Sequence, residues 1–188
     1  MSKVVMDVSM SLDGFSAGPN VRPEAPMGDG GELLHDWFLG TGQHNEVDVR
    51  VGEELNAMVG AAIVGRHTFE LGRKLWGGTP WPATPTFVVT HRPRADLAGD
   101  NGGTFAFDGL EAGTRRAKEA AGDKNVMVLG ANVGQSLLRA GLLDELWVHL
   151  IPRLLGEGTR LFDGFQAELI PAGDFLVGSV PHLRYRIG

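Results

Sequence analysis

The chain has no cysteine and a single tyrosine among its 188 residues. Without thiols there are no disulfides, thiolate metal centres, cysteine nucleophiles or redox dithiols. A surplus of positive charge is also missing: 17 basic residues face 23 acidic ones, a net of -6. That excludes a general attraction to nucleic acid or to an anionic membrane, so any anionic ligand must be held by a local basic cluster. No apolar run approaches the roughly 18 residues of a membrane span. The apolar stretch after Lys3 is interrupted by Asp7, too early for a secretory signal. The chain therefore reads as cytoplasmic, with neither nucleic acid nor membrane as partner. The P-loop and HExxH signatures are absent. The six histidines are scattered without ligand spacing, so no metal site is expected. His149 reads as a core or lining residue.

What is present is a chain with 43% apolar residues, 28 Gly and 10 Pro, enough to fold as one domain over residues 1–188. Lys3–Met10 is rich in Val and reads as a first strand. Residues 11–31 have no period and form a long loop. Glu32–Leu39 predicts a short helix with Leu33, Leu34, Trp37 and Phe38 on one stripe. Glu46–Val59 predicts a second helix. From Ala61 onward strands and helices alternate: strands at 61–64, 86–90, 104–107, 125–129 and 145–151, helices after Gly65 and at 110–121 and 133–139. The tail, 167–187, holds short strands separated by Pro and Gly. This pattern predicts an α/β protein with a mixed, mostly parallel sheet between helical layers and a C-terminal antiparallel hairpin.

Two strand-to-helix turns look suited to anions. In the first, Gly65 permits a tight exit from the strand, Arg66 and His67 add donors, and Thr68 is placed to cap the next helix. In the second, Gly130-Ala131 keeps the main chain open, and Asn132 with Gln135 is spaced like a capping box ahead of Val133. Thr90-His91-Arg92 ends a third strand. In an open α/β sheet such strand ends line one crevice, where a multiply charged cofactor could lie. The ordinary alternative for each is plain turn chemistry with solvated side chains.

These motifs resemble a known family. Gly65-Arg66-His67-Thr68-Phe69-Glu70 is similar to the GRxT[WFY]E turn of dihydrofolate reductases. VMVLGANVGQSLLRAGLLDELWVHLIPRLLGEGTRLFDG, residues 126–164, resembles the reductase domain of the riboflavin-biosynthesis deaminase-reductase, the RibD C-terminal domain family, and so does Ser11-Leu12-Asp13-Gly14. The resemblance covers nearly the whole chain. It implies a three-layer α/β/α sandwich of the dihydrofolate reductase type, bound NADPH and a homodimer. It also implies that Gly65, Arg66, His67 and Thr68 hold cofactor phosphates. Thr90, His91 and Arg92 would lie near the 2′-phosphate, and Gly130, Ala131, Asn132 and Val133 would cradle the diphosphate. The loop 12–17 would run beside the nicotinamide.

The implied function is NADPH-dependent reduction of a small heterocyclic or ribosylated aminopyrimidine, as by 5-amino-6-(5-phosphoribosylamino)uracil reductase. Asp13 is the first candidate proton donor, with an Asx-type loop tie as its structural alternative. Asp36 and Trp37 are the candidate substrate contacts. The rivals are a dihydrofolate or pterin reductase and a non-catalytic NADPH-binding protein. Against the first, the residue three before the Trp-Phe pair is Leu34, where true dihydrofolate reductases carry a carboxylate. Asp144 and Glu145 read as solvated.

Overall fold

The computed structural model describes residues 2–40 and 45–188. In chain order the elements are β1 (Val4–Ser11), β2 (Phe15–Ala17), a 3-10 helix (Gly31–His35), α1 (Asp36–Leu39), α2 (Glu46–Met58), β3 (Val59–Gly65), α3 (Arg66–Leu75), β4 (Pro85–Val89), β5 (Leu97–Ala98), β6 (Thr104–Asp108), α4 (Leu110–Ala121), β7 (Asn125–Leu129), α5 (Ala131–Arg139), β8 (Glu145–Ile151), β9 (Thr159–Arg160), β10 (Leu169–Pro171), β11 (Leu176–Val177) and β12 (Pro181–Ile187). The chain divides into two compact units, residues 1–6 with 58–144 and residues 7–57 with 145–188. Neither is contiguous, and no linker in the sequence marks the division.

In the first unit the start of β1, then β7, β3, β4 and β6 are parallel neighbours, with β5 antiparallel at the edge. These strands read as apolar runs because both faces of the sheet are covered. The crossover from β3 through α3 to β4 runs one way along the sheet. The crossover from β6 through α4 to β7 runs the other way. Right-handed crossovers therefore place α3 and α4 on opposite faces, which gives the sandwich its outer layers. Val64, Phe69, Val88, Phe105 and Phe107 form the core beneath α3. The Phe69 ring meets Phe105 and Phe107 edge to face at 4.9 and 5.3 Å. Gly134 lets α5 settle on the buried Met6, whose sulfur a side chain at 134 would overlap.

In the second unit the strands that pair with β12, and the β2–β9 pair, are antiparallel. β12 pairs with β8, β10 and β11, which is the expected C-terminal hairpin region, and β2 pairs with β9. The segment 11–31 thus contains a strand that its irregular sequence did not announce. Phe15 in β2 stands opposite Arg160, so pairing with a distant partner supplies what local pattern lacks. The helix expected at 32–39 starts as a 3-10 turn. Three residues per turn align Gly31, Leu34 and Trp37, which are the buried ones. Phe38, expected on the buried stripe, is instead exposed.

Candidate functional site

In the first unit the three turns are brought together by strand register. Gly65 stands opposite Val89 on β4, and Val64 opposite Leu129 on β7. The turns following β3, β4 and β7 therefore emerge side by side. Gly130 has φ +103°, and a Cβ there would stand 2.5 Å from the Thr68 hydroxyl oxygen. Only glycine allows both that backbone and that approach. At Gly65 a Cβ would sit 3.6 Å from Val133.

Two capping expectations are corrected here. α3 starts at Arg66 with Gly65 as its N-cap, and α5 starts at Ala131 with Gly130 as its N-cap; neither has a side-chain cap hydrogen bond. The reason is that each turn is made by its glycine, so each helix begins before its would-be capping side chain. Thr68 and Asn132 therefore lie inside the first turns. The Gln135 amide oxygen accepts from Arg139 rather than closing a box. The first-turn N–H groups of both helices are thus left to water or to a ligand.

Arg66, His67, His91 and Arg92 are exposed, while Thr90 is buried. The Thr90 hydroxyl accepts from the Arg92 amide at 3.1 Å and fixes that turn. Arg66 donates to Glu70 at 2.8 Å in a half-exposed i,i+4 pair. That bond first, aided by Arg66, His67 and Arg94, holds the Glu70 carboxyl below its usual range. Arg94 was not singled out from the sequence. Its guanidinium lies 4.0 Å above the Phe107 ring and 5.4 Å from Phe69, so the basic cluster is anchored on the aromatic core.

In the second unit, Asp13 ties two motif segments together. Its carboxylate accepts from the Ser11 hydroxyl at 2.6 Å, the Gly156 amide at 2.7 Å and the Leu155 amide at 3.1 Å. The Ser11 bond first, then the two amides, lower its pKa to about 2. Leu161 donates to the Gly14 carbonyl and Leu12 to the Arg153 carbonyl. The SLDG and LLGEGTRLF stretches are therefore one packed structure. This geometry matches the loop tie, and a carboxyl ionised down to about pH 2 carries no proton to give near neutrality.

Asp36 and Trp37 line one cleft of about 300 Å³, together with Leu33, Asp48, Arg153 and Ser179. Leu34 is fully buried and does not line it. Behind the cleft runs a chain of polar groups. Asp7 Oδ1 lies 2.7 Å from His149 Nε2, His149 Nδ1 lies 2.6 Å from His182 Nδ1, and His182 Nε2 lies 2.9 Å from Asp48 Oδ1. Both Asp48 oxygens accept the Ser179 amide at 3.1 Å, and Oδ2 also accepts the Ser179 hydroxyl. The Trp37 ring covers both imidazoles, 4.2 Å from His149 and 5.0 Å from His182, and its N–H donates to Ser9 at 3.0 Å. Burial acts to raise the Asp48 carboxyl, but the bonds from Ser179 and His182 together outweigh it and hold it below the usual range. Burial pushes the His182 ring down, against the pull of Asp48.

Of the two readings for His149, core or lining, the structure shows the core one, and neither its partnership nor Asp7, Asp48, Ser179 and His182 is legible in the sequence. The one local signal was polarity in the wrong place: Asp7 and His149 sit inside otherwise apolar strand runs. Glu145, expected to be solvated, is buried and accepts from the Trp147 indole at 3.0 Å. Asp144 is exposed but bonded, accepting from the Val4 amide and from Lys118. No His, Asp or Glu group suited to a metal occurs among the described residues, and no described helix is long and apolar enough to cross a membrane.

Comparison with known proteins gives the family. The model of the RibD C-terminal domain matches residues 2–171. The chain belongs to that family. Among curated relatives, the uncharacterized protein YwjB of Bacillus subtilis is 29% identical over 160 residues, covering 85% of this chain and 82% of its own. Among solved structures, a putative riboflavin biosynthesis protein from Shewanella sp. PV-4 superposes with a TM-score of 0.71 at 20% identity, covering 100% of this chain and 99% of that one. Dihydrofolate reductase from Enterococcus faecalis gives a TM-score of 0.56 at 17% identity, covering 99% and 96%. The fold is thus α/β of the dihydrofolate reductase type, with a mixed, mostly parallel sheet.

Proposed function

We propose that this protein is an NADPH-dependent reductase of a small heterocyclic or ribosylated aminopyrimidine substrate. The observation that carries the reading is the junction of Gly130 with Thr68. It sets two helix N-termini without side-chain caps side by side at the strand ends, where a diphosphate can approach the main chain. The residues present fit the cofactor. The first-turn amides after Gly65 and Gly130 would take the diphosphate, and Arg66, His67, His91 and Arg92 form a local basic cluster in a chain of net charge -6. When bound, NADPH supplies a hydride. The chain's own residues hold the substrate in the cleft at Asp36 and Trp37, exclude water and furnish a proton. Leu34 weighs against folate as the substrate, because a buried leucine offers a pterin ring no hydrogen bond. The same reading carries the family's homodimer, which sedimentation checks.

The test is calorimetric titration with NADPH and NADH. Arg92→Ala should weaken NADPH about tenfold while leaving NADH nearly unchanged, since a charge-assisted bond to phosphate contributes about 1.5–3 kcal/mol. Wild-type protein should oxidise NADPH with a phosphoribosylaminopyrimidine and not with dihydrofolate. Equal affinity for the two cofactors, or rapid dihydrofolate turnover, overturns the proposal.

A further inference from the structure

The buried polar chain of the second unit contains more than its fold requires. It links Asp7 on β1, His149 on β8, His182 on β12 and Asp48 on α2 through three contacts of 2.6–2.9 Å. Each contact needs one proton between its heavy atoms. Two neutral imidazoles carry one ring proton each, and two carboxylates carry none. With only those two protons, one contact would set lone pair against lone pair in the protein interior, where unpaired polar atoms are costly. Satisfying all three contacts at once therefore takes a third proton.

The surroundings say where it resides. With Nδ1 facing Nδ1, one ring must donate and the other accept. If His149 is the doubly protonated ring, its Nε2–H donates to Asp7 and its Nδ1–H to His182. A neutral His182 then donates from Nε2 to Asp48, and every contact is satisfied. Both rings are buried, and the Trp37 ring lies nearer to His149, at 4.2 Å, than to His182, at 5.0 Å, which favours the charge on His149. Among the described residues, the other titratable group facing the pair is His35 of the 3-10 helix. Burial pushes its ring down, Asp7 and the neighbouring Asp36 act to raise it, and His149 acts to lower it.

We infer that His149 and His182 form a proton reservoir, which discharges into the cleft through Asp48 and refills by the same route. On discharge, the Nδ1 proton of His149 passes to Nδ1 of His182 while the Nε2 proton of His182 passes to Asp48 Oδ1. One N–H bond breaks at each ring, one forms at His182, and the positive charge of His149 ends by neutralising the Asp48 carboxylate. Asp48 and Ser179 both line the cleft. The carboxyl proton leaves to an acceptor there, directly or through the Ser179 hydroxyl, which first turns its own proton from Asp48 Oδ2 to that acceptor and then takes the carboxyl proton on its oxygen. Two protons remain, in the opposite tautomers, until water in the cleft returns the third. The use of this proton in turnover rests on the reductase reading, since adding a hydride to a C=N or C=O carbon leaves the heteroatom needing one proton. His149 and His182 act only through Asp48.

The experiment is NMR of the histidine rings in the ligand-free full chain at neutral pH. His149 should be protonated on both nitrogens, His182 should be neutral with its proton on Nε2, and the proton between the two Nδ1 atoms should resonate far downfield. In Asp48→Asn the amide oxygen still accepts from His182 but cannot take its proton, so exchange of the Nδ1 proton with water should slow about tenfold or more. Ser179→Ala removes one exposed hydroxyl, keeps the Asp48 carboxylate and should slow the same exchange more modestly; it carries the test if Asp48→Asn does not fold. Two neutral imidazoles at neutral pH overturn the reservoir, and unchanged exchange in the variants overturns the outlet. Neither readout involves NADPH oxidation, so a protein inert toward the proposed substrates would defeat the reductase reading while leaving this result standing or falling by itself.

Discussion

In the first unit the candidate functional groups stand outside an apolar core: Arg66, His67, His91 and Arg92 are exposed, and the Phe69–Phe105–Phe107 cluster lies beneath them. In the second unit the polar groups are themselves the interior. His149 and His182 are 3% and 2% exposed, covered by Trp37 and bonded end to end between two aspartates. The first arrangement lets stability and chemistry be separated, because the basic side chains can be changed without opening the core. The second does not, because each polar group is both a packing element and a hydrogen-bond partner that its neighbour cannot lose.

Breaking each interior in turn sharpens that contrast. Phe105→Ala should cost about 3–5 kcal/mol, read as a lower urea midpoint, and the loss should not change with pH because no titrating group is involved. Asp48→Ala removes one partner of a buried charged network and should cost about 3–5 kcal/mol near neutrality. Its loss should depend on pH. The Asp48 carboxyl is held below its ordinary value of 3.8, so its stabilisation is complete above that pH and disappears as the pH falls through the folded value. Urea midpoints for wild type and variant should therefore converge in acid for Asp48→Ala and stay parallel for Phe105→Ala.

A smaller effect is expected at the turn. Gly130→Ala places a Cβ against Thr68 at positive φ and should cost about 1–3 kcal/mol in thermal unfolding, with NADPH affinity falling more than stability alone would require. The smallest effect is expected at Asp13. Its pKa of about 2 against an ordinary 3.8 means that its stabilisation is complete above about pH 4 and is lost as the pH falls toward 2. Asp13→Asn should lower the urea midpoint slightly at neutral pH and approach wild type as the pH falls toward 2. A large loss of turnover with no change in stability would instead restore Asp13 to the chemistry.

How much was legible depended on range along the chain. The helix at Leu110–Ala121 and the strands at Asn125–Leu129 and Glu145–Ile151 lie where their periodicity placed them. The strands β5 and β9 have two residues each, too few for any period to show. The strand-end turns were legible as candidates because glycine, basic residues and helix start all lie within a few positions of one another. Their capping was misread because Thr68 and the Asn132–Gln135 pair have the right spacing, while the glycines before them, not the side chains, set where the helices begin.

By itself, then, the sequence determined the alternation of strands and helices, the glycine turns at their junctions and the basic cluster in an acidic chain, since all of these are local chemistry. Only the tertiary structure decided that Asp7 meets His149 across 142 positions, that His149 meets His182 across 33, and that His182 meets Asp48 across 134. Contacts between residues so far apart leave no period and no motif. They exist because strand pairing and helix packing carry two buried imidazoles between two aspartates, where each ring is satisfied by bonding to its neighbours.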